Sequence, residues 1–142
     1  MKHKYVISIL VAVLTCLLSF TAHSAPITIT QISDLDFGVA FLGDSQKRVP
    51  SSNVENAENA SFLITGDAGR TFTVTRPGRI WMTHTPSGDR IRVKRFRARP
   101  NNSGRIRNNG ERLIFVGATR NRIPAGISTG SYSGTFTITV VY

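Results

Sequence analysis

The last thirteen residues of the chain, 130–142, alternate between apolar and hydroxyl side chains, and this pattern constrains the fold more than any other. One set of alternate positions holds Tyr132, Gly134, Phe136, Ile138, Val140 and Tyr142, and the positions between them hold mostly Ser and Thr. Because successive side chains of a β-strand point to opposite faces, the pattern predicts a strand with one apolar and one polar face. Such a strand must pair within a sheet, since a long apolar edge is prone to aggregation.

The rest of the chain also predicts short strands, and it shows no sustained helical periodicity. Turn residues separate segments that alternate in polarity or carry short apolar runs. These segments cover residues 27–30, 35–42, 61–65, 71–76, 79–85, 90–99 and 113–117. Together with the closing strand, they predict an all-β fold, a β-sandwich of about seven to nine strands.

Three of these segments carry more detailed predictions. Leu35, Phe37, Val39 and Phe41 share one face of the 35–42 segment, which is therefore expected to be a half-buried strand. The 61–65 and 71–76 segments are separated by Gly66-Asp67-Ala68-Gly69, a turn sequence that predicts a hairpin. In the second of these segments, Phe72 and Val74 are expected to point inward between outward-facing threonines.

The 90–99 segment changes phase in its middle. Ile91 and Val93 occupy one set of alternate positions, whereas Phe96 and Ala98 occupy the other. A β-bulge at residues 94–95 would return all four to the core, because one extra residue shifts the phase of a strand. The same bulge would collect arginines on the outer face, while Trp81 on the preceding strand is expected to point inward.

The first 24 residues predict a secretion signal. A short cationic start is followed by an apolar run from Tyr5 to Phe20 and by small residues that favour cleavage before Ala25. Residues 25–142 would then form one β-sandwich domain with no transmembrane segment and without Cys16, the one cysteine of the sequence. The expected location is secreted: the periplasm, a fimbrium or the bacterial cell surface.

Positive charge is concentrated on the bulged segment. The sequence has 18 Lys and Arg against 8 Asp and Glu. Arg binds phosphate and carboxylate groups bidentately, so this face is a candidate site for polyanions such as lipopolysaccharide, acidic polysaccharide or extracellular DNA. The candidate residues are Arg90, Arg92, Arg97 and Arg99. Sequence-specific nucleic-acid recognition is not expected.

The residues do not predict an enzyme, a metal site or a cofactor. Leu42-Gly43-Asp44-Ser45 resembles the nucleophile block of GDSL-type esterases. A serine nucleophile needs a histidine base, and the one candidate after residue 24, His84, lacks the Asp three positions earlier that this family's pattern requires. A single His and scattered carboxylates give no zinc or calcium ligand spacing.

The closing strand resembles the last strand of chaperone–usher fimbrial subunits, which place a Gly twelve positions before a Tyr as Gly130 and Tyr142 are placed. Leu35-Asp36-Phe37-Gly38, Thr65-Gly66 and Val116-Gly117-Ala118 resemble the secreted family called domain of unknown function 4402. That family is similar to spore coat protein U and to archaic pilins.

The resemblance implies an immunoglobulin-like, fimbrial-type sandwich that lacks one strand. In such subunits a periplasmic chaperone first fills the open groove by β-augmentation. During assembly at an usher, the N-terminal segment of the next subunit then replaces the chaperone. Residues 25–33 would be the donor or the first strand, with Ile27, Ile29 and Ile32 as donor candidates. The groove or partner-edge strand would hold Tyr132, Phe136, Ile138, Val140 and Tyr142.

Two functions remain open from the sequence. The first is a secreted structural or adhesive subunit that assembles into a pilus or coat with other copies of itself by strand complementation. The second is a monomeric secreted module that binds polyanions through its arginines. The closing strand is expected to pair with residues 27–30, either of its own chain or of another copy.

Overall fold

The computed structural model describes residues 24–142, which form an all-β fold of nine strands in two sheets. The strands are β1 (Thr28–Ser33), β2 (Lys47–Arg48), β3 (Ala60–Thr65), β4 (Thr71–Thr75), β5 (Arg79–Thr83), β6 (Arg90–Arg99), β7 (Ser103–Arg105), β8 (Glu111–Arg120) and β9 (Thr139–Val141). The predicted β-sandwich is thereby confirmed. The predicted signal peptide lies outside the described residues, apart from Ser24.

The larger sheet has six antiparallel strands in the order β1-β3-β8-β6-β5, and β2 pairs with the far end of β8. Its central strand, β8, places Ile114, Val116 and Ala118 in the core. On its other face, Gly117 lies directly against the backbone of Val49–Ser51, and a Cβ there would be 2.3 Å from the Val49 oxygen. A glycine is therefore required for the chain to cross β8 at this point.

The smaller sheet has three strands in the order β7-β4-β9. The alternation predicted for β4 is confirmed, because Phe72 and Val74 are buried between exposed threonines. The predicted hairpin of β3 with β4 is wrong. The turn at residues 66–69 instead carries the chain from one sheet to the other, and turn residues alone do not distinguish the two connections.

The predicted bulge in β6 is confirmed. Between Lys94 and Arg97 the pairing of β6 with β8 shifts register, and Arg95 has a positive φ of 55°. Ile91, Val93, Phe96 and Ala98 are all buried, as the shift of phase requires. The apolar side chains of this ten-residue strand thus stay on its inner face on both sides of the bulge.

The predicted strand over residues 35–42 is wrong. Leu35 and Phe37 pack against the core, but Gly38 has a positive φ of 64° that ends the extended conformation. After this turn Val39 is 92% exposed and Phe41 is 75% exposed. The segment therefore leaves the sandwich halfway along its length, and its alternation does not correspond to sheet pairing.

The closing segment, residues 130–142, is only partly a strand. Ser133 forms an isolated bridge with Thr83 of β5, and Thr139–Val141 pairs with β4 as β9. Residues 134–138 between them carry no strand pairing with any described residue. The partner expected from the sequence, residues 27–30, is also wrong for the chain itself, since β1 pairs with β3 and β9 with β4.

Candidate functional site

An open cleft of about 890 Å³ lies at one end of the sandwich, between residues 35–42 and residues 127–132. We call it the strand cleft. Its floor is formed by Met82, Ile91, Ile123 and Arg120. Neither wall is paired as a strand at these positions. The isolated bridge of Ser133 with Thr83 lies just beyond the end of the second wall. The cleft therefore combines a partly apolar floor with rims whose backbone is not paired in a sheet.

The first wall is held at its two ends, and in its middle the Gly38 amide donates to the Asp36 carboxylate at 2.7 Å. The amide of Asp36 donates to the Glu58 carbonyl at 2.8 Å, and the amide of Gly43 donates to the Ile123 carbonyl at 3.1 Å. The Phe41 amide donates to the Asp44 carboxylate at 2.8 Å. Between these contacts the wall presents apolar side chains to solvent, which is the kind of exposed patch that marks an interaction site.

The second wall is fixed to the β5–β6 turn. The Ser128 amide donates to the Asp89 carboxylate at 2.8 Å, and this hydrogen bond lowers the pKa of Asp89. The Tyr132 hydroxyl donates to the Ser128 carbonyl at 2.7 Å, and partial burial raises the pKa of Tyr132. The His84 ring stacks on the Tyr132 ring with centroids 5.2 Å apart. The entrance to the closing segment is therefore ordered before any partner binds.

The predicted groove residues lie along this closing segment. Phe136 meets the rings of Phe62 and Phe96 at centroid distances of 6.2 and 5.2 Å. Ile138 is buried, and Val140 packs against the core. The apolar face predicted from the alternation thus points inward from Phe136 to Val140, although of these residues only the last are paired as part of β9.

Tyr142 has a different role from the other groove residues. It is partly exposed, and its hydroxyl accepts a hydrogen bond from the Asp67 amide at 2.8 Å and donates to the Ala25 carbonyl at 3.2 Å. The Arg70 guanidinium lies 4.1 Å from the centre of its ring. Tyr142 therefore ties the end of the closing segment to the residues before β1.

The donor candidates are already placed in β1 or just before it. Thr28–Ser33 pairs with β3 along most of its length, and β1 is an outer strand of the larger sheet. Ile27 packs against the core, whereas Ile29 and Ile32 are partly exposed. Within the single chain these residues thus fill the position of a first strand.

The candidate polyanion residues lie together on the outer face of β6, which we call the arginine face. Arg90, Arg97 and Arg99 are exposed, and Arg92 is partly exposed. None of the four forms an ion pair with a described carboxylate. Their charge is therefore available to a partner.

Trp81 does not point inward, so that prediction is wrong. It is paired with Arg92 across the β5–β6 ladder and is 43% exposed. The Arg92 guanidinium lies 4.9 Å from the centre of the indole ring, within the range of a cation–π contact. Trp81 shares its set of alternate positions in β5 with Arg79 and Thr83, so it lies on the outer face with them, opposite Ile80 and Met82.

A small basic pocket adjoins the arginine face, and sequence reasoning missed it. It has a volume of about 330 Å³ and is lined by Arg48, Pro50, Arg97, Arg99 and neighbouring residues. Arg48 precedes Arg97 by 49 positions in the sequence, and the crossing at Gly117 brings the two residues together in this pocket. The signal in the sequence was Gly117 itself, a glycine inside an otherwise regular strand.

Two further kinds of feature are relevant in the described part of the chain: clusters of metal-ligating side chains and membrane-spanning helices. In residues 24–142 no three His, Cys, Asp or Glu side chains cluster as metal ligands would. Over the same residues, no helix has the length and apolar character to cross a membrane.

Fold and site together define a β-sandwich protein with an open apolar cleft and a basic sheet face. Its sequence matches the family model "Domain of unknown function (DUF4402)" over residues 27–142, and the chain belongs to this family. No curated protein and no solved structure matches it.

Proposed function

We propose that the protein is a secreted structural subunit of the bacterial surface, completed by a β-strand from another polypeptide and assembling in this way into a pilus or coat. One observation carries the proposal: two chain segments without strand pairing flank an apolar cleft at the end of the sandwich. A strand laid between them would gain main-chain hydrogen bonds from the rims and bury alternate side chains on the floor.

The exposed residues of the first wall support this proposal. Val39 and Phe41 lie on the rim and contribute little to the core. Burying a large apolar side chain contributes about 1.5–3 kcal/mol, so their burial under a partner strand would favour binding. In the isolated chain the same exposure makes association with other chains favourable.

The partner classes follow from this geometry. A periplasmic chaperone with its usher, or another subunit, can supply an extended strand, and each would use the same rims. The residues of β1 from another copy, with Ile27, Ile29 and Ile32, are one such source.

Charged substitutions on the rim test the proposal. Val39→Lys with Phe41→Lys should abolish SDS-resistant species that collapse on boiling, because both side chains would resist burial under a strand. Val54→Lys is the matched control, since Val54 is 67% exposed and is not part of the cleft lining. Equal assembly by the double variant and the control contradicts a role for the cleft.

A second candidate function is polyanion binding by the arginine face. The stacked pair of Arg92 on exposed Trp81 favours it, because an indole adds a surface on which bases or sugar rings can stack. Replacing Arg92, Arg97 and Arg99 with Ser should lower the salt needed to elute the protein from heparin. A control triple variant, Arg107, Arg112 and Arg122 to Ser, loses the same charge elsewhere, and equal elution of the two variants contradicts a local site.

A further inference from the structure

Arg120 lies on the floor of the strand cleft and is almost completely buried. It is the last residue of β8 and continues the inward-facing positions of Ile114, Val116 and Ala118. Only 4% of its surface is exposed, yet it lines the cleft. A guanidinium therefore stands where the strand pattern would place an apolar side chain.

The described residues accept hydrogen bonds from only one of the three nitrogens of this guanidinium. Its Nη2 donates to the Ser45 carbonyl at 3.3 Å, while Nε and Nη1 have no hydrogen-bond partner. No described carboxylate forms an ion pair with it. Asp44 is near enough to act through its charge, but its carboxylate accepts from the Phe41 amide.

A buried arginine of this kind is costly, because it keeps its charge at any physiological pH. Burial lowers the pKa of Arg120, and the Asp44 charge offsets part of that effect. Removing a charge from water is unfavourable unless hydrogen bonds and an opposite charge replace the lost hydration. A carboxylate suits this guanidinium, because it can accept from Nη1 together with the second hydrogen of Nη2, or from Nε together with Nη2, along one edge of the group.

Resting on the strand-acceptor function proposed above, we infer that the strand filling the cleft carries an Asp or Glu whose carboxylate binds Arg120. The chain's own segment Ala25–Ser33 contains no acidic residue. It is also already paired with β3 in the single chain. The acidic strand therefore belongs to a different polypeptide, and residues 25–33 of a second copy are the alternative that the experiment must separate from it.

A peptide series tests this inference. The probes are synthetic nine-residue peptides with the sequence of Ala25–Ser33 and variants that carry either Glu or Gln at positions 27, 29, 31 or 32. Each Glu peptide has a Gln peptide of the same shape as its control. Binding is measured by calorimetry to the wild-type protein and to Arg120→Met, both as residues 25–142.

In at least one register the Glu peptide should bind wild type about 10- to 100-fold more tightly than its Gln control, as expected for a hydrogen-bonded charge pair. Arg120→Met should remove this difference and leave the affinity for the Gln peptides unchanged. Equal affinities of every Glu and Gln pair for wild type overturn the inference while leaving strand binding itself intact. Absence of binding by every peptide contradicts the proposed function as well.

Stability of the isolated protein gives a second, independent readout. Arg120→Met should raise its Tm by roughly 2–6 °C, because an apolar side chain of similar length replaces a poorly paired buried charge. An arginine that served only the fold would give the opposite result. A lower Tm for Arg120→Met therefore overturns the assignment of Arg120 to a partner.

Discussion

The bulged strand β6 and the closing segment both alternate apolar and polar side chains, yet the molecule treats them differently. Strand β6 is hydrogen-bonded on both sides, to β5 and to β8, and its apolar side chains are buried. Residues 134–138 of the closing segment direct their apolar side chains inward in the same way but carry no strand pairing. Side-chain burial and backbone pairing are thus separate properties, and the strand cleft adjoins the start of this segment, at residues 127–132, which also lack strand pairing.

The contrast predicts where substitutions matter most. Ile114→Ala in the paired sheet should lower the free energy of unfolding by about 2–5 kcal/mol, because it leaves a cavity at a completely buried position. Phe41→Ala on the cleft rim should change the same quantity by less than about 0.5 kcal/mol in the isolated protein. Urea denaturation measures both. Similar losses for the two variants would show that the rim is part of the folded core.

The crossing over β8 gives the next largest expected effect. Gly117→Ala should lower the free energy of unfolding by about 1–3 kcal/mol, because the new Cβ would press against the backbone of residues 49–51. Gly126→Ala is the control, since nothing lies within 4 Å of its Cβ position. If denaturant unfolding gives equal stabilities for the two variants, residues 49–51 do not lie against Gly117.

The turn at Gly38, in the first wall of the cleft, should be sensitive to backbone strain. Gly38→Ala should cost about 1–2 kcal/mol, because a left-handed φ of 64° is unfavourable for a residue with a Cβ. Space alone does not oppose it, as the nearest atom is the Lys47 Nζ at 3.5 Å. Gly78→Ala, in open space without a positive φ, should be close to neutral in thermal unfolding. A neutral Gly38→Ala would place residues 35–42 in a continuous strand.

The smallest expected effect concerns pH at the second wall. The pKa of Asp89 is lowered in the folded protein, first by the hydrogen bond from the Ser128 amide. The stability that the Asp89 carboxylate contributes is therefore complete above its unfolded pKa of about 3.9 and is lost as the pH falls through the lower folded pKa. Hydrogen exchange of the Ser128 amide should accelerate in that range relative to neighbouring amides. Asp89→Asn should remove this change relative to the neighbouring amides, and an unchanged acid response would exclude Asp89 as its cause.

The sequence predicted side-chain faces well and strand partners poorly. The bulge in β6 followed from one change of phase, and the inward positions of Phe72 and Val74 followed from simple alternation. The partner of β9 did not follow, because alternation gives a strand's two faces but not its neighbour. The same limit explains the wrong β3–β4 hairpin. The wrong orientation of Trp81 has another cause, since its large apolar side chain suggested burial although its alternate position in β5 is shared with Arg79 and Thr83.

The candidate site was predictable in part. The inward face of the closing segment was evident from Phe136, Ile138 and Val140. The first wall of the cleft was not evident, because Gly38 turns the chain away from a pattern that favours a strand. Arg120 carried a usable signal, since it occupies the next inward position after Ala118. Its missing hydrogen-bond partners depend on distant loops and are visible only in three dimensions.

Hydrogen exchange along the two walls of the strand cleft tests the central claim most directly. The amides of residues 39–40 and 129–131 should exchange rapidly in the isolated protein, compared with slow exchange in β6 and β8, because these residues line the cleft and lack strand pairing. Adding a strand peptide that fills the cleft should protect some of them by about tenfold or more while leaving β6 unchanged. Protection of these amides equal to that of β6 without any partner would contradict an open strand cleft.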